Sequence, residues 1–316
     1  MAMTITAPTT ETWPPLPLEA WRETQETLHL WTQVVGKIKL ELTPFLNEWW
    51  NVAFAVTPRG LTTGAIPAGD KMFAIDFDFV DHTLFVHASD GRTRSLPLIP
   101  RSVADFYAEL LATVRAMGIV VAINPLPVEI PNPISCAIDT EHASYDPEPV
   151  QRWWRILVQT ERILQRFRSP FVGKSSPVNF FWGSFDLTAT RFSGRPAIPP
   201  AGAPRFVQLA EEQENFACGF WPGNPTMSGV ALGEPAFFAY IYPEPPGFRE
   251  APVRPEAAYH DPDLGLFLLR YDDARRAASP AAAILDFFQS AYEAAATLAD
   301  WDRRALERIP PKGAVR

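Results

Sequence analysis

The chain has 316 residues, 33 of them proline, with a formal net charge of −8 and 47% hydrophobic against 20% charged residues. That apolar share builds a full core and excludes a disordered chain, while the length suits one large domain or two ordinary ones. An acidic balance with no lysine-rich run excludes a nucleic-acid footprint, which needs clustered positive charge against phosphates.

Residues 1–17 have neither a basic nor an apolar leader segment and read as a flexible tail rather than a signal peptide. Trp21, Leu28, Trp31 and Val35 recur at helical spacing, predicting a helix over 19–35 that Gly36 ends. Strands follow at 50–57 and 72–80. In the second, Phe73, Ile75, Phe77 and Phe79 alternate with Ala74, Asp76 and Asp78, the mark of a half-buried antiparallel strand. Asp81-His82 turns the chain into a strand at 83–88, and residues 89–92 turn it again. A helix opens at Ser102, with Asp105 in capping position, and closes at Gly118. The longest aliphatic run, 119–123, reads as a buried strand and is far short of the roughly 20 residues that span a bilayer.

The proline-dense stretch 124–146 reads as a connection between two units. Beyond it Asp146 caps a helix to Arg168, with Val150, Trp153, Leu157, Leu164 and Phe167 on one face. A β-rich stretch at 177–192, strands at 237–242 and 264–271, and a helix opening at Ser279-Pro280 complete the half. Each half thus reads helix, strands, helix, and Val35-Gly36-Lys37 and Val172-Gly173-Lys174 stand at matching places. The expected fold is α+β: two tandem helix–antiparallel sheet–helix units, 18–123 and 147–304, related by a pseudo-two-fold with a cleft at the seam, and flexible tails at 1–17 and 305–316. Cys136 and Cys218 match neither a disulfide framework nor a metal motif, so the cytoplasm is the expected compartment.

Five long strings carry a family likeness: HLWTQVVGK (29–37), RSVADFY (101–107), GKSSPVNFFWGSFDLTATRFSGR (173–195), YPEPPGF (242–248) and QSAYEAAATLADWDR (289–303). Through them the chain from Trp13 to Glu307 resembles a bacterial family catalogued as domain of unknown function 5996. The resemblance implies that both halves belong to one unit; it implies no particular chemistry.

The stretch 179–192 is the most informative for function. If extended throughout, it places Trp182, Ser184, Asp186, Thr188 and Thr190 on one face and Phe181, Phe185, Leu187 and Ala189 on the other. The first face suits either a polar pocket with an aromatic wall or a solvated sheet face, and a bulge at Gly183 would change the parity. Lys174, Arg191 and Arg195, with Lys37 as the counterpart in the first half, form a candidate anion clamp; the bland role of Lys174 is to complement a helix end. His142, among Asp139, Glu141 and Asp146, is the histidine best supplied with carboxylates, but no metal-ligand spacing surrounds it. Trp221 and Glu244 lie in aromatic, proline-rich segments that suit a lid and an acid, or plain packing.

The sequence therefore points to a cytoplasmic protein that takes a small, anionic ligand in the cleft between its units. Trp182, Ser184, Trp221 and the basic residues are the expected lining, and His142, Asp186 and Glu244 are the proton-transfer candidates if it is an enzyme. The alternatives are a noncatalytic scaffold and, behind it, a metalloenzyme built on His142. No membrane or nucleic-acid partner is expected.

Overall fold

A computed structural model describes residues 11–223 and 232–308; the rest of both expected tails and Asn224 of the aromatic segment 219–224 lie outside the described residues. Trp13 and Leu16 pack on the core, and the Pro14 carbonyl accepts a 2.7 Å hydrogen bond from the Tyr271 hydroxyl. A 3₁₀ turn at Leu18–Ala20 leads into α1 (Arg22–Leu42). Gly36 does not end this helix. A Cβ there would fall 2.2 Å from the Trp182 ring, so the glycine admits a close neighbour instead. Thr43, whose hydroxyl bonds the Lys39 carbonyl at 2.7 Å, and Pro44 stop the helix. Because α1 is buried on nearly every side, its Gln25, His29 and Gln33 find their partners in loops rather than in water.

The first sheet contains β1 (Ala55–Val56), β2 (Gly60–Thr62), β3 (Ile66–Ala68), β4 (Lys71–Asp78), β5 (Thr83–Ala88) and β6 (Thr93–Pro97). Its order is β1-β2-β4-β5-β6, with β3 also on β4, and every pairing is antiparallel. The alternation in β4 buries Phe73, Ile75 and Phe77, as its spacing predicts. α2 (Val103–Ala116) opens on Ser102, whose hydroxyl accepts from the Asp105 amide. Two expected strands differ. Of 50–57 only Ala55–Val56 forms a strand, with Phe54 in an isolated bridge, and 119–123 is no strand: Ile119 and Ile123 are buried while Val120 between them is 88% exposed.

α3 (Pro147–Arg168) starts at the Asp146 cap. The second sheet follows with β7 (Asn179–Phe181), β8 (Asp186–Pro196), β9 (Gln213–Trp221), β10 (Ala236–Tyr242), β11 (Tyr259–Asp261) and β12 (Leu266–Arg270), and with α4 (Arg205–Ala210) between β8 and β9. Its order is β11-β12-β10-β9-β8-β7, again antiparallel. α5 (Tyr271–Arg276), α6 (Pro280–Leu298) and α7 (Arg303–Leu306) close the described chain. The expected single strand 179–192 is a hairpin, turning at 182–185 with Phe185 at φ 61°, which sets Phe181 opposite Asp186.

The sheets meet where Phe54, beside β1, and Phe180 of β7 exchange two backbone hydrogen bonds of 2.9 Å each. Trp153 of α3 fills the seam, stacked on Phe185 at 4.8 Å and edge-on to Phe180 at 5.6 Å. One hydrophobic core runs through both sheets and their helices. The architecture is α+β with two antiparallel sheets, consistent with two helix–sheet–helix units. Val35-Gly36-Lys37 lies inside α1, however, and Val172-Gly173-Lys174 lies in the loop after α3. The two tripeptides that suggested an internal two-fold are not structural counterparts. No described helix is long and apolar enough to cross a membrane.

Candidate functional site

The second sheet has two different faces. One, carrying Leu187, Ala189, Phe216, Phe220 and Phe237, belongs to the core under α3 and α6. The other forms the floor of a cavity of about 450 Å³. Its rows follow from the register: Thr188, Gly219 and Phe238 lie side by side, then Thr190, Ala217 and Tyr240. The small residues of β9 make the hollow. A Cβ on Gly219 would meet the Leu187 carbonyl oxygen at 2.1 Å and the Phe238 ring at 2.9 Å, and Ala217 leaves the space beside Tyr240 open.

Segments distant in sequence raise the walls. Glu48, Trp49, Trp50 and Val52 come from the link between α1 and β1, Val128 and Glu129 from the proline-rich connection, and Phe206, Val207 and Ala210 from α4. Each is tied down. The Trp49 indole donates to the Phe206 carbonyl at 2.9 Å, and the Trp182 indole donates to the Val52 carbonyl at 3.0 Å. Gln33 donates to the Val128 carbonyl and accepts from its amide, both at 2.8 Å. One helical turn earlier, His29 Nε2 donates to the Gly183 carbonyl at 2.9 Å, which puts a proton on Nε2 because a carbonyl only accepts. Burial holds that imidazole's pKa down at about 4.

Backbone strain gathers at this wall. Of the seven described non-glycine residues with positive φ, Trp49 and Glu129 line the cavity and Phe185 separates Ser184 from Asp186, which also line it. Such conformations cost free energy and persist where the surroundings enforce them. Gly183 leaves room for the Glu129 carboxylate: a Cβ there would lie 2.1 Å from Glu129 Oε1.

The cavity's polar chemistry is acidic. Asp186 is 8% exposed, and burial pushes its carboxyl up to about 7, although the Ser184 hydroxyl donating to Oδ1 and a backbone hydrogen bond both favour the ionised form. Glu129 as a whole residue is exposed, yet protein crowds its carboxylate. Desolvation, and then the nearby Asp186 charge, also push it up to about 7. Burial raises Glu211 despite a 2.6 Å hydrogen bond from Asn215, and it holds Tyr240 well above its usual range. Among the described lining residues there is no lysine, arginine or histidine. The nearby Lys174 is paired with Glu48, 4.3 Å from the Phe192 ring centre, while Glu48 Oε2 is buried without a partner.

Of the residues singled out from sequence, Trp182, Ser184, Asp186, Thr188, Thr190 and Trp221 line this cavity, Phe181 joins them although it was expected on the opposite face, and Lys174 stands behind the Glu48 wall. The others lie elsewhere. Arg191 is on the helix side of the sheet, its guanidinium 3.5 Å from the Phe167 ring centre and donating to the Phe167 carbonyl. Arg195 pairs with Glu214 and donates to the Ala299 and Asp300 carbonyls at the end of α6. Lys37 is buried in α1 with its charge near Cys136. His142 Nδ1 is 2.7 Å from Asp139 Oδ2, in a loop whose Asp139 and His142 carbonyls accept from the first amides of α2. Glu244 forms an exposed pair with Arg249. The four basic residues of the anion clamp therefore do not converge, and none of them lines the cavity.

Sequence reasoning passed over Glu48, Glu129 and Glu211, and no local pattern marks them. Among the described residues no group of three or more His, Cys, Asp or Glu side chains is arranged to hold a metal ion. No curated protein and no solved structure matches the chain. The profile described as "Family of unknown function (DUF5996)" matches residues 13–308, and the chain belongs to that family.

Proposed function

We propose that this protein binds a small organic molecule in the cavity over β8–β10. One observation carries the reading: a hollow of about 450 Å³, within the usual size of ligand sites, is walled by four tryptophans and has a few polar groups at fixed places. Its walls are held by buried side chains of α1 rather than left as free loops, which lowers the ordering cost of binding. The two free, buried cysteines suit a reducing compartment, and we place the protein in the cytoplasm.

A catalytic use of the same site is favoured by Asp186 and Glu129, two neighbouring carboxyls whose pKa values of about 7 suit proton transfer at neutral pH. A scaffold without a deep pocket accounts for neither the hollow nor the strained backbone around it.

The test is a thermal-shift screen of uncharged, apolar and aromatic compounds on the wild type and on Ala217→Phe, which fills the floor. Compounds that stabilise the wild type and not the filled variant support the reading. Equal stabilisation of both proteins, or of neither, contradicts it.

A further inference from the structure

Resting on that small-molecule reading, we propose that the cavity's ligand is an organic cation, an ammonium group on an apolar body, with the charge held between Glu129 and Asp186. Four carboxylates, Glu48, Glu129, Asp186 and Glu211, line one small hollow, and among its described lining residues no cation answers them. Lys174 offsets Glu48 from behind. Asp186, Glu129 and Glu211 have no ion-pair partner among the described residues, and Asp186 is more than nine-tenths buried. Burying ionisable groups without counter-charge is costly, and a cationic ligand supplies that charge. An anion would meet four carboxylates and, among the described lining residues, no cation.

The aromatic surface points the same way. Asp186 is flanked by Phe181 on β7 and, one step beyond the Leu187–Phe220 pair, by Trp221 on β9. Trp182 and Tyr240 complete the surroundings. Indole and phenol faces attract cations and also receive an apolar body, which a phosphate does not offer. Of the wall's donors, the Trp49 and Trp182 indoles and the Thr188 hydroxyl already donate to backbone carbonyls, while the Trp221 indole N–H is buried without a partner.

Binding is then linked to protons. Glu129 and Asp186 are both partly protonated near pH 7 in the free protein, and an ammonium beside them drives them to ionise. The other groups facing the pair stay fixed: Tyr240 and His29 remain neutral, and Glu48 keeps its bond to Lys174. Glu211, raised by burial, adds in the same direction as the pair.

The experiment is isothermal titration of the full chain at pH 7 with three probes of one shape, 2-phenylethylamine, 2-phenylethanol and 3-phenylpropionate, repeated in two buffers of different ionisation enthalpy. The amine is expected to bind at least about tenfold tighter than the alcohol, with the carboxylate weakest and about half a proton or more released per amine bound. Glu129→Gln and Asp186→Asn should each cut the preference for the amine over the alcohol and the proton release, with circular dichroism reporting that each variant is folded. Alcohol or carboxylate binding as tightly as the amine overturns the cationic class and leaves the cavity reading intact. Failure of all three probes overturns the class as well, and the cavity reading is then decided separately by the Ala217→Phe screen with uncharged compounds.

Discussion

The carboxamide of Gln33 grips the backbone of Val128 at both ends, donating to its carbonyl and accepting from its amide at 2.8 Å each. Glu129 follows directly, in a left-handed conformation at φ 59°. His29, one turn back on α1, holds the Gly183 carbonyl. Two successive polar positions of one buried helix thus position the two segments that bring Glu129 and Asp186 together.

Removing the Gln33 grip should loosen the wall more than the fold. Gln33→Leu keeps the volume but loses both bonds, and a stability loss of about 1–3 kcal/mol is expected. Affinity for 2-phenylethylamine should fall by about tenfold, read by titration alongside urea denaturation. A large stability loss with unchanged affinity would assign Gln33 to the core alone.

Gly36 and Gly183 face contacts of similar closeness with opposite expected consequences. A Cβ at Gly36 meets the packed Trp182 ring at 2.2 Å, so Gly36→Ala should cost about 1–3 kcal/mol through overpacking. A Cβ at Gly183 meets the end of the flexible Glu129 side chain at 2.1 Å, which can swing away. Gly183→Ala should therefore change stability by less than about 1 kcal/mol and still weaken amine binding. Denaturation midpoints and titrations on both variants check the contrast.

The pH dependence of stability carries opposing contributions from the raised carboxyls of the site, Asp186 and Glu129, and from His29. Folding raises Asp186 from its ordinary 3.8 to about 7, so its contribution is full below about 3.8 and is lost as pH rises through that window. Folding lowers His29 from 6.5 to about 4, so its contribution is full above 6.5 and is lost as pH falls toward 4. Each offsets the other between pH 4 and 6.5. In Asp186→Asn the acid-side loss from His29 should stand out, giving a steeper fall in urea midpoint from pH 7 to pH 5 than in the wild type. Parallel profiles would contradict the assignment.

What was legible in the sequence is what short-range chemistry decides. The Ser102 and Asp146 caps, the alternation in β4 and the apolar stripe of α3 each act within a few residues, and the structure reproduces them. Gly36 misled because its reason is Trp182, far along the chain. The face carrying Ser184, Asp186, Thr188 and Thr190 could be read by parity beyond the turn, whereas Phe181 changed sides because the chain reverses at 182–185. Glu48, Glu129 and Glu211 sit in links whose partners lie in other parts of the chain, so no spacing announces them. Lys174, Arg191 and Arg195 look clustered in sequence, but parity sends Arg191 through the sheet and Arg195 to the end of α6.

The ten tryptophans offer the most direct test of a ligand site over β8–β10. Four of them, Trp49, Trp50, Trp182 and Trp221, line the cavity, while Trp31 and Trp153 are fully buried in the core and do not. In an assigned ¹H–¹⁵N spectrum of the indoles, adding 2-phenylethylamine should shift the four cavity signals in a saturable way and leave Trp31 and Trp153 in place. Saturable shifts confined to other indoles, or none from the cavity four, would contradict the account.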